Sequence, residues 1–215
     1  MRLADLSERS QVSLATIKYY LREGLLAPGR RINATQAEYD ESHLRRLRLV
    51  RAMIQVGRIP VATVREVLTQ VDDDSLGRAV RLGAALWTLP RATEPDPDDP
   101  ATAAAREEVD RLLAGLGWNH AAEISGRSPV YRELVSLVAS LHRLGYPLDA
   151  AELIPYARQM EQTALHDLDR MERLGTPVEQ VEMAVAGAVL FEPVLLSLRR
   201  LAQEQHTIRR FGFED

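Results

Sequence analysis

The stretch that decides the fold lies near the N-terminus and reads VSLATIKYYLREGLL over residues 12–26. It predicts a short helix with both ends marked. Ser13 can cap the first turn by accepting a hydrogen bond from a free backbone N–H, and Gly24 suits the left-handed residue that ends many helices. Between these marks, apolar side chains three and four residues apart fall on one face. A helix this short is not stable alone, so its neighbours must hold it.

The other face of this predicted helix is polar. It carries a hydroxyl, an amine, a phenol and a guanidinium, which are groups suited to phosphates and base edges. We therefore interpret the segment as a candidate recognition helix. The outward residues are Thr16, Lys18, Tyr19 and Arg22.

The flanking sequence predicts a helix-turn-helix followed by a wing. A short amphipathic helix over residues 3–9 and a tight turn at residues 9–12 precede the candidate recognition helix. After it, Pro28-Gly29 opens a turn before a small two-stranded ribbon, with Arg30 and Arg31 near its tip or in its first strand. A basic ribbon beside a helix-turn-helix can grip the DNA backbone. The alternative is an ordinary solvated loop.

The charge is unevenly distributed along the chain. The 215 residues carry a net charge of −4, which by itself argues against nucleic acid. Residues 1–70, however, hold twelve basic and seven acidic side chains, a net charge of +5, and the remainder carries −9. A basic N-terminal part joined to an acidic remainder indicates a DNA-binding head on a different functional body. The alternative is a chance asymmetry of solvated faces.

The composition favours a soluble, helical protein. Hydrophobic residues make up 46% of the chain and aromatic residues only 5%, a balance typical of helices. The absence of cysteine excludes disulfides and thiolate metal sites. We expect a cytoplasmic location because the first residues are charged rather than an apolar run. We expect no membrane span because the longest uncharged apolar stretch, residues 183–191, is too short to cross a bilayer.

Downstream of the ribbon, the sequence predicts an arginine-rich helix over residues 40–56 and a shorter helix that ends near residue 68. Five motifs follow one another in a fixed order through this region. They are TIKYY at residues 16–20, GLL at 24–26, YD at 39–40, LRRLRLVR at 44–51 and VREVL at 64–68. In this order they resemble the MerR-type transcriptional regulators, and the resemblance covers about the first seventy residues.

The resemblance implies a homodimer that binds double-stranded DNA at an inverted-repeat promoter and distorts it, with RNA polymerase as a further partner. Thr16, Lys18 and Tyr19 would contact DNA, the wing arginines would grip phosphates, and Tyr39 would close the wing. The predicted DNA-binding residues are Ser13, Thr16, Lys18, Tyr19, Arg22, Arg30, Arg31 and Tyr39.

Two places depart from the family pattern. Gln11 stands at the helix–helix turn where the family usually has glycine, and a positive φ there would cost a non-glycine residue about 1 kcal/mol. The sequence QAE at residues 36–38 replaces the usual glycine-tyrosine-arginine of the second wing strand, which removes one basic contact. We therefore expect the turn and the grip of the wing to differ from the family in detail.

We predict a mainly α fold with two domains. Residues 1–70 form the winged helix-turn-helix domain, and residues 101–215 form an all-α bundle that senses an effector, mediates dimerisation, or does both. Residues 71–89 hold a connecting or dimerisation helix of only about four turns, shorter than the pairing helix of the family, so dimerisation should recruit other surfaces. Residues 90–100 form a linker, because four prolines and four acidic residues cannot build a core.

The candidate role of the helical body is to bind a small ligand. Glu192 and Pro193 interrupt an otherwise apolar helix at residues 184–196, and a carboxylate beside a carbonyl freed by proline could recognise a cationic or hydroxylated lipophilic effector. The alternatives are that Glu192 points to solvent or pairs with an arginine, or that this helix is the dimer interface. The predicted effector-binding residues are Trp118, Tyr131, Tyr156, Met160, Phe191 and Glu192.

Other classes of function have less support in the sequence. It contains no catalytic cysteine, Ser–His–Asp pattern or glycine-rich phosphate loop, so we expect no enzyme and no cofactor. His166 and the nearby carboxylates match no established ligand spacing, so we expect no metal site. An architectural DNA-binding protein without an effector is the main alternative, and an enzyme with a DNA-binding head is the weaker one.

Overall fold

The computed structural model describes residues 1–33, 36–90 and 94–212. Over these residues the chain is mostly helical, with one two-stranded antiparallel ribbon, which confirms the mainly α fold class. The helices are α1 (Leu3–Ser10), α2 (Leu14–Arg22), α3 (Glu41–Arg51), a π-helix (Ala52–Val56), α4 (Val61–Asp72), α5 (Arg78–Trp87), α6 (Pro100–Leu116), α7 (Asn119–Glu123), α8 (Pro129–Arg143), α9 (Ala150–Glu172) and α10 (Pro177–Phe211). The strands are β1 (Arg30–Arg31) and β2 (Ala37–Glu38).

The chain folds as two compact units. The first unit combines Met1–Thr88 with Leu174–Asp215, and the second is Leu89–Arg173. The sequence predicts one body over residues 101–215, whereas in the structure the last helix of that range belongs to the same unit as the N-terminal head. Its sequence position therefore does not indicate its place in the fold.

Helix α10 joins the first unit because its first half packs on the head. Val185 is fully buried. Gly57, directly after the π-helix, lies so close to α10 that a Cβ added to it would be 2.7 Å from Cγ1 of Val189. Arg46 on α3 also donates a hydrogen bond to Glu182 at 2.9 Å. These apolar and charged contacts give α10 a shared core with the head.

The head surrounds one apolar core. Leu6 of α1, Ile17 of α2, Leu47 of α3 and Val64 of α4 are each fully buried. Burying one such side chain contributes about 1.5–3 kcal/mol. The short helix α2 is therefore held by α1, α3 and α4, as the sequence required of a helix too short to stand alone.

Helix α3 has a strong cap and an irregular end. The Asp40 side chain accepts hydrogen bonds from the backbone N–H groups of Ser42 and His43. Hydrogen bonds from the Ser42 and His43 side chains hold the pKa of Asp40 well below its usual range. The sequence predicted one helix through residue 56, but the last turns widen into the π-helix Ala52–Val56, a change that hydrophobic periodicity does not show.

The second unit is a bundle of helices α6 to α9. Helix α6 begins at the last residue of the predicted linker, where the Asp99 side chain accepts a hydrogen bond from the N–H of Ala101 at 2.9 Å. Residues 91–93 of that linker lie outside the described residues. Helix α9 begins with a reciprocal cap, in which the side chains of Asp149 and Glu152 each accept a hydrogen bond from the other's backbone N–H. The core residues are Ala105, Val109, Leu113, Tyr131, Val135, Val138 and Ala139.

Helix α10 is long and apolar enough to cross a membrane, by length and composition only. Only 22% of its most apolar stretch is buried, and that buried part belongs to the half that packs on the head. The other half carries apolar surface that the described chain does not cover.

Candidate nucleic-acid interface

The turn between α1 and α2 is tight and rests on one left-handed residue. Gln11 has φ 54° and ψ 35°, which confirms the positive φ considered for this non-glycine position. Its backbone N–H and its side-chain amide both donate to the carbonyl of Glu8, at 3.3 and 2.8 Å. The next N–H, from Val12, donates to the carbonyl of Ser7 at 3.2 Å. These bonds offset the conformational cost at Gln11 and let α2 follow α1 directly.

Helix α2 has one buried and one exposed face. Ile17 and Tyr20 are buried against the head, and the ring of Tyr19 lies 5.9 Å from the ring of Tyr20 on the outer side. A helix with an apolar side on the protein and a polar side free has the form needed to enter a major groove. The exposed residues are Leu14, Ala15, Lys18, Tyr19 and Arg22.

The N-terminus of α2 is capped as the sequence predicted. The Ser13 Oγ accepts a hydrogen bond from the N–H of Thr16 at 3.1 Å and lies 2.8 Å from the Thr16 hydroxyl. Two hydroxyls therefore stand at the positive end of the helix dipole, an arrangement that favours a DNA phosphate.

Arginines from α3 and α4 bind the C-terminal ends of the two helices of the helix-turn-helix. Arg51 donates to the carbonyl of Ser10 at the end of α1, at 2.9 Å. Arg65 donates to the carbonyl of Glu23 beyond the end of α2, at 2.9 Å, and to its carboxylate at 2.6 Å. Cations are favoured at these negative helix ends. The sequence showed that α3 is rich in arginine but not which arginines have this supporting role.

Three cations of the interface have no carboxylate partner among the described residues. They are Lys18, Arg22 and Arg31. Lys18 is also the only lysine in the sequence. An unpaired cation keeps its full attraction for phosphate, whereas a paired one must first give up its partner. The charge of these three residues is therefore fully available to a phosphate.

The wing is a minimal ribbon with an ion pair across it. Arg30 of β1 lies opposite Glu38 of β2 in the ladder, and the two side chains form an ion pair. The hydrogen bond from Arg30 lowers the pKa of Glu38. The departure noted at residues 36–38 thus removes a basic contact and also occupies the neighbouring arginine.

Tyr39 lies inside the head rather than on its surface. Its ring is buried and meets the ring of His43 edge-on at 5.1 Å. Its backbone exchanges two hydrogen bonds with Met1, at 2.7 and 2.8 Å. A Cβ on Gly29 would lie 3.0 Å from the Tyr39 ring, so the chain entering the wing closes directly on this ring. Tyr39 therefore lies buried beside the start of the wing, so its ring is not exposed for a contact with DNA.

Removing the wing carboxylate should strengthen DNA binding. Glu38→Gln releases Arg30 for a phosphate, so we expect about three- to tenfold tighter binding and a plot of log K against log salt that is steeper by about 0.9. Gel shifts at several salt concentrations measure both quantities. Glu66→Gln is the matched control, because it removes the same charge from an exposed position on α4 away from the wing. Equal changes in the two variants would show that only net charge matters.

The six predicted effector-binding residues fall in different units. Tyr131 is buried and donates its hydroxyl hydrogen to Asp110 at 2.6 Å, which makes it a core residue of the second unit. Trp118 is partly buried in the same unit and donates its indole N–H to Glu161 at 2.9 Å. The others are Tyr156 and Met160, exposed on α9, and Phe191 and Glu192 on α10 in the first unit, partly buried and exposed respectively.

A helix-turn-helix with an outward cationic face, followed by a two-stranded wing, defines a winged helix-turn-helix DNA-binding protein. Residues 1–71 of this chain match the sequence model of a protein family that is described as "MerR HTH family regulatory protein". The chain is 63% identical to SCO5550 from Streptomyces coelicolor A3(2), which is proposed to be a transcriptional regulator. The match to its crystal structure has a TM-score of 0.87 and covers 100% of both chains. A search of the curated proteins finds no match. The chain belongs to the MerR family of DNA-binding transcriptional regulators.

Proposed function

We propose that this chain is a homodimeric regulator of transcription that binds an inverted-repeat promoter. The observation that supports this most is the exposed face of α2, where Lys18, Tyr19 and Arg22 stand opposite the buried Ile17 and Tyr20. With this face in the major groove, the wing can lie on the flanking backbone. The protein acts in the cytoplasm, without a cofactor and without catalysis.

The small size of the recognition element supports a dimer. A helix of nine residues reads only a few base pairs, and two copies related by two-fold symmetry read an inverted repeat with their combined affinity. Membership of the MerR family supports the same arrangement, with DNA distorted between the half-sites and RNA polymerase as a partner.

Selection of bound DNA tests this proposal. The purified protein is mixed with fragmented genomic DNA at about 0.15 M salt, and the retained fragments are sequenced. We expect enrichment of fragments that share an inverted repeat, because specific sites typically bind 10³–10⁷ times more tightly than non-specific DNA. Retention independent of sequence would favour the architectural alternative. No retention at all would contradict both.

We infer further that the second unit binds a small lipophilic effector. The support is a surface on α9, where Tyr156 and Met160 lie one turn apart and are both more than half exposed. The adjacent Glu161 is a carboxylate held by the indole of Trp118. Exposed apolar side chains beside a carboxylate suit a molecule that is apolar and cationic.

Thermal shifts with lipophilic amines test the effector. A compound present at about 100 times its Kd should stabilise the protein by about 2.7 kcal/mol, and Tyr156→Ala with Met160→Ala should remove most of that shift. Leu137→Ala is the control, since Leu137 is also exposed in the second unit but lies on α8. Glu192→Gln tests the predicted carboxylate on α10. Shifts that are equal in all variants would reject the binding surface on α9.

A further inference from the structure

The exposed face of α2 carries the one side-chain amine of the sequence. Of the 27 lysine and arginine residues, Lys18 is the only lysine. It is exposed on α2 and has no carboxylate partner among the described residues. The other strongly basic side chains are guanidinium groups, which stay protonated in proteins, whereas a lysine amine can be acylated. Acylation of side-chain amines therefore has a single target, and that target lies at the proposed DNA interface.

A second cation beside Lys18 can hold a phosphate group. Arg22 lies four residues further along the same helix, and side chains at this spacing are neighbours on a helix surface. Arg22 is also exposed and has no carboxylate partner in the described ranges. A guanidinium binds phosphate through two parallel hydrogen bonds. A phosphate held by Arg22 would therefore bring a group attached to that phosphate next to the amine of Lys18.

We propose that Lys18 is a site of acylation by acyl donors that carry phosphate, and that its acylation switches off DNA binding. The inference rests on the DNA-binding role proposed above for α2 and adds a means of regulating it. Two donors share this chemistry. Acetyl phosphate carries its phosphate on the reacting carbonyl carbon, and acetyl-CoA carries phosphates on its nucleotide part. The cations that attract a DNA phosphate attract both donors for the same electrostatic reason.

The reaction is a simple acyl transfer. The uncharged amine of Lys18 attacks the carbonyl carbon of the donor, and a nitrogen–carbon bond forms. The bond from that carbon to the phosphate oxygen, or to the sulfur of CoA, breaks, and its electron pair leaves with inorganic phosphate or with the CoA thiolate. A proton from the nitrogen passes to the leaving group or to water. The product is a neutral amide, and neither an oxidant nor a reductant is needed.

Acylation removes what Lys18 offers to DNA. The positive charge is lost, and the three N–H donors of the ammonium group are reduced to the single N–H of an amide. A neutral side chain releases no counterion from DNA, so its contribution to affinity through a phosphate contact disappears. Since the proposed dimer carries two copies of α2, one kind of modification acts at both half-sites. Bound DNA in turn covers the amine and excludes the donor, so DNA and the donor compete for Lys18.

Peptide mass spectrometry tests the site without DNA. The full-length Arg127→Lys variant is incubated with acetyl phosphate and, separately, with acetyl-CoA. Arg127 is exposed in the second unit and has no carboxylate partner among the described residues, so this variant supplies a reference amine away from α2. We expect Lys18 to be acetylated at least about three times faster than the introduced amine by at least one donor, and the reactive donor identifies the source. Equal rates with both donors, or no acetylation of Lys18, would overturn the inference.

Gel shifts on the selected DNA test the switch. Acetylated wild-type protein should bind about thirty times more weakly at about 0.15 M salt, with a plot of log K against log salt that is shallower by about 1.8, because a dimer loses two phosphate contacts. Lys18→Arg is the matched control. It keeps the charge and every other group that a donor can modify, including the α-amine of Met1, so treatment should leave its own starting affinity unchanged. Equal weakening of both proteins would overturn the switch.

Protection by DNA separates this inference from the proposed function. Selected DNA added before the donor should slow acetylation of Lys18 and leave the introduced amine at position 127 unaffected. Equal acetylation of Lys18 with and without bound DNA, or acetylated protein that binds with undiminished affinity, would overturn the inference and leave the DNA-binding role in place. A wild-type chain that is acetylated preferentially at Lys18 but selects no DNA would contradict the proposed function and the switch, but not the acylation site.

Discussion

Lys18→Ala together with Tyr19→Ala should abolish promoter binding while the protein stays folded and dimeric. Both side chains lie on the exposed face of α2, outside the buried core. Lys18 has no carboxylate partner in the described part of the chain, so its whole charge is available to DNA. Each good contact to a base is worth about 1–3 kcal/mol, so binding should weaken on the order of 100-fold or more. Gel shifts on the selected DNA measure this loss.

A matched pair of substitutions controls for the loss of a cation and a phenol. Arg127→Ala with Tyr146→Ala removes the same two kinds of side chain from exposed positions of the second unit. This variant should bind DNA like the wild-type protein. Sequence-specific gel shifts of normal strength from the α2 variant would reject α2 as the recognition helix.

Glu182→Ala should cause a large loss of stability in the first unit. The Arg46 side chain is only 14% exposed and donates to Glu182 and to Asp72, both at 2.9 Å. Burial alone would lower the pKa of Arg46, but the two carboxylates outweigh burial and raise it. Breaking a buried ion pair costs about 3–5 kcal/mol, and because Asp72 remains we expect a loss of about 2–4 kcal/mol.

Urea unfolding followed by Trp87 fluorescence measures this loss. Trp87 lies on α5 in the first unit, and a Trp118→Phe background removes the signal of the second unit. Glu66→Ala is the control, because Glu66 is exposed on α4 of the same unit and its loss should change the free energy of unfolding by less than about 0.5 kcal/mol. A similarly small effect of Glu182→Ala would show that α10 is not locked to α3.

The head was predictable from sequence because its signals are local. Ser13 caps α2 three residues before its hydrogen-bond partner, and Gly24 takes the left-handed conformation with φ 71°. Gln11 takes the positive φ that its position in a short turn requires. The wing also appears where the turn residues placed it. Each of these features depends on residues a few positions apart, so a sequence pattern is enough to reveal them.

The place of α10 was not predictable in the same way. Its ion pair joins Arg46 to Glu182 across 136 residues, and no local pattern encodes such a pairing. An apolar helical stripe looks the same whichever unit it packs on. The pairing of Arg30 with Glu38 likewise depends on the register of a two-residue ladder. Aromatic residues at helical spacing are equally ambiguous, as the buried Tyr131 of the second unit shows.

Hydroxyl-radical footprinting of the selected DNA tests the central claim most directly, which is that two copies of α2 read an inverted repeat. We expect two protected half-sites related by two-fold symmetry, with centres separated by whole helical turns of about 10–10.5 base pairs each. The protection should disappear with Lys18→Ala and Tyr19→Ala. A single unsymmetric footprint, or one that this variant leaves unchanged, would contradict the claim.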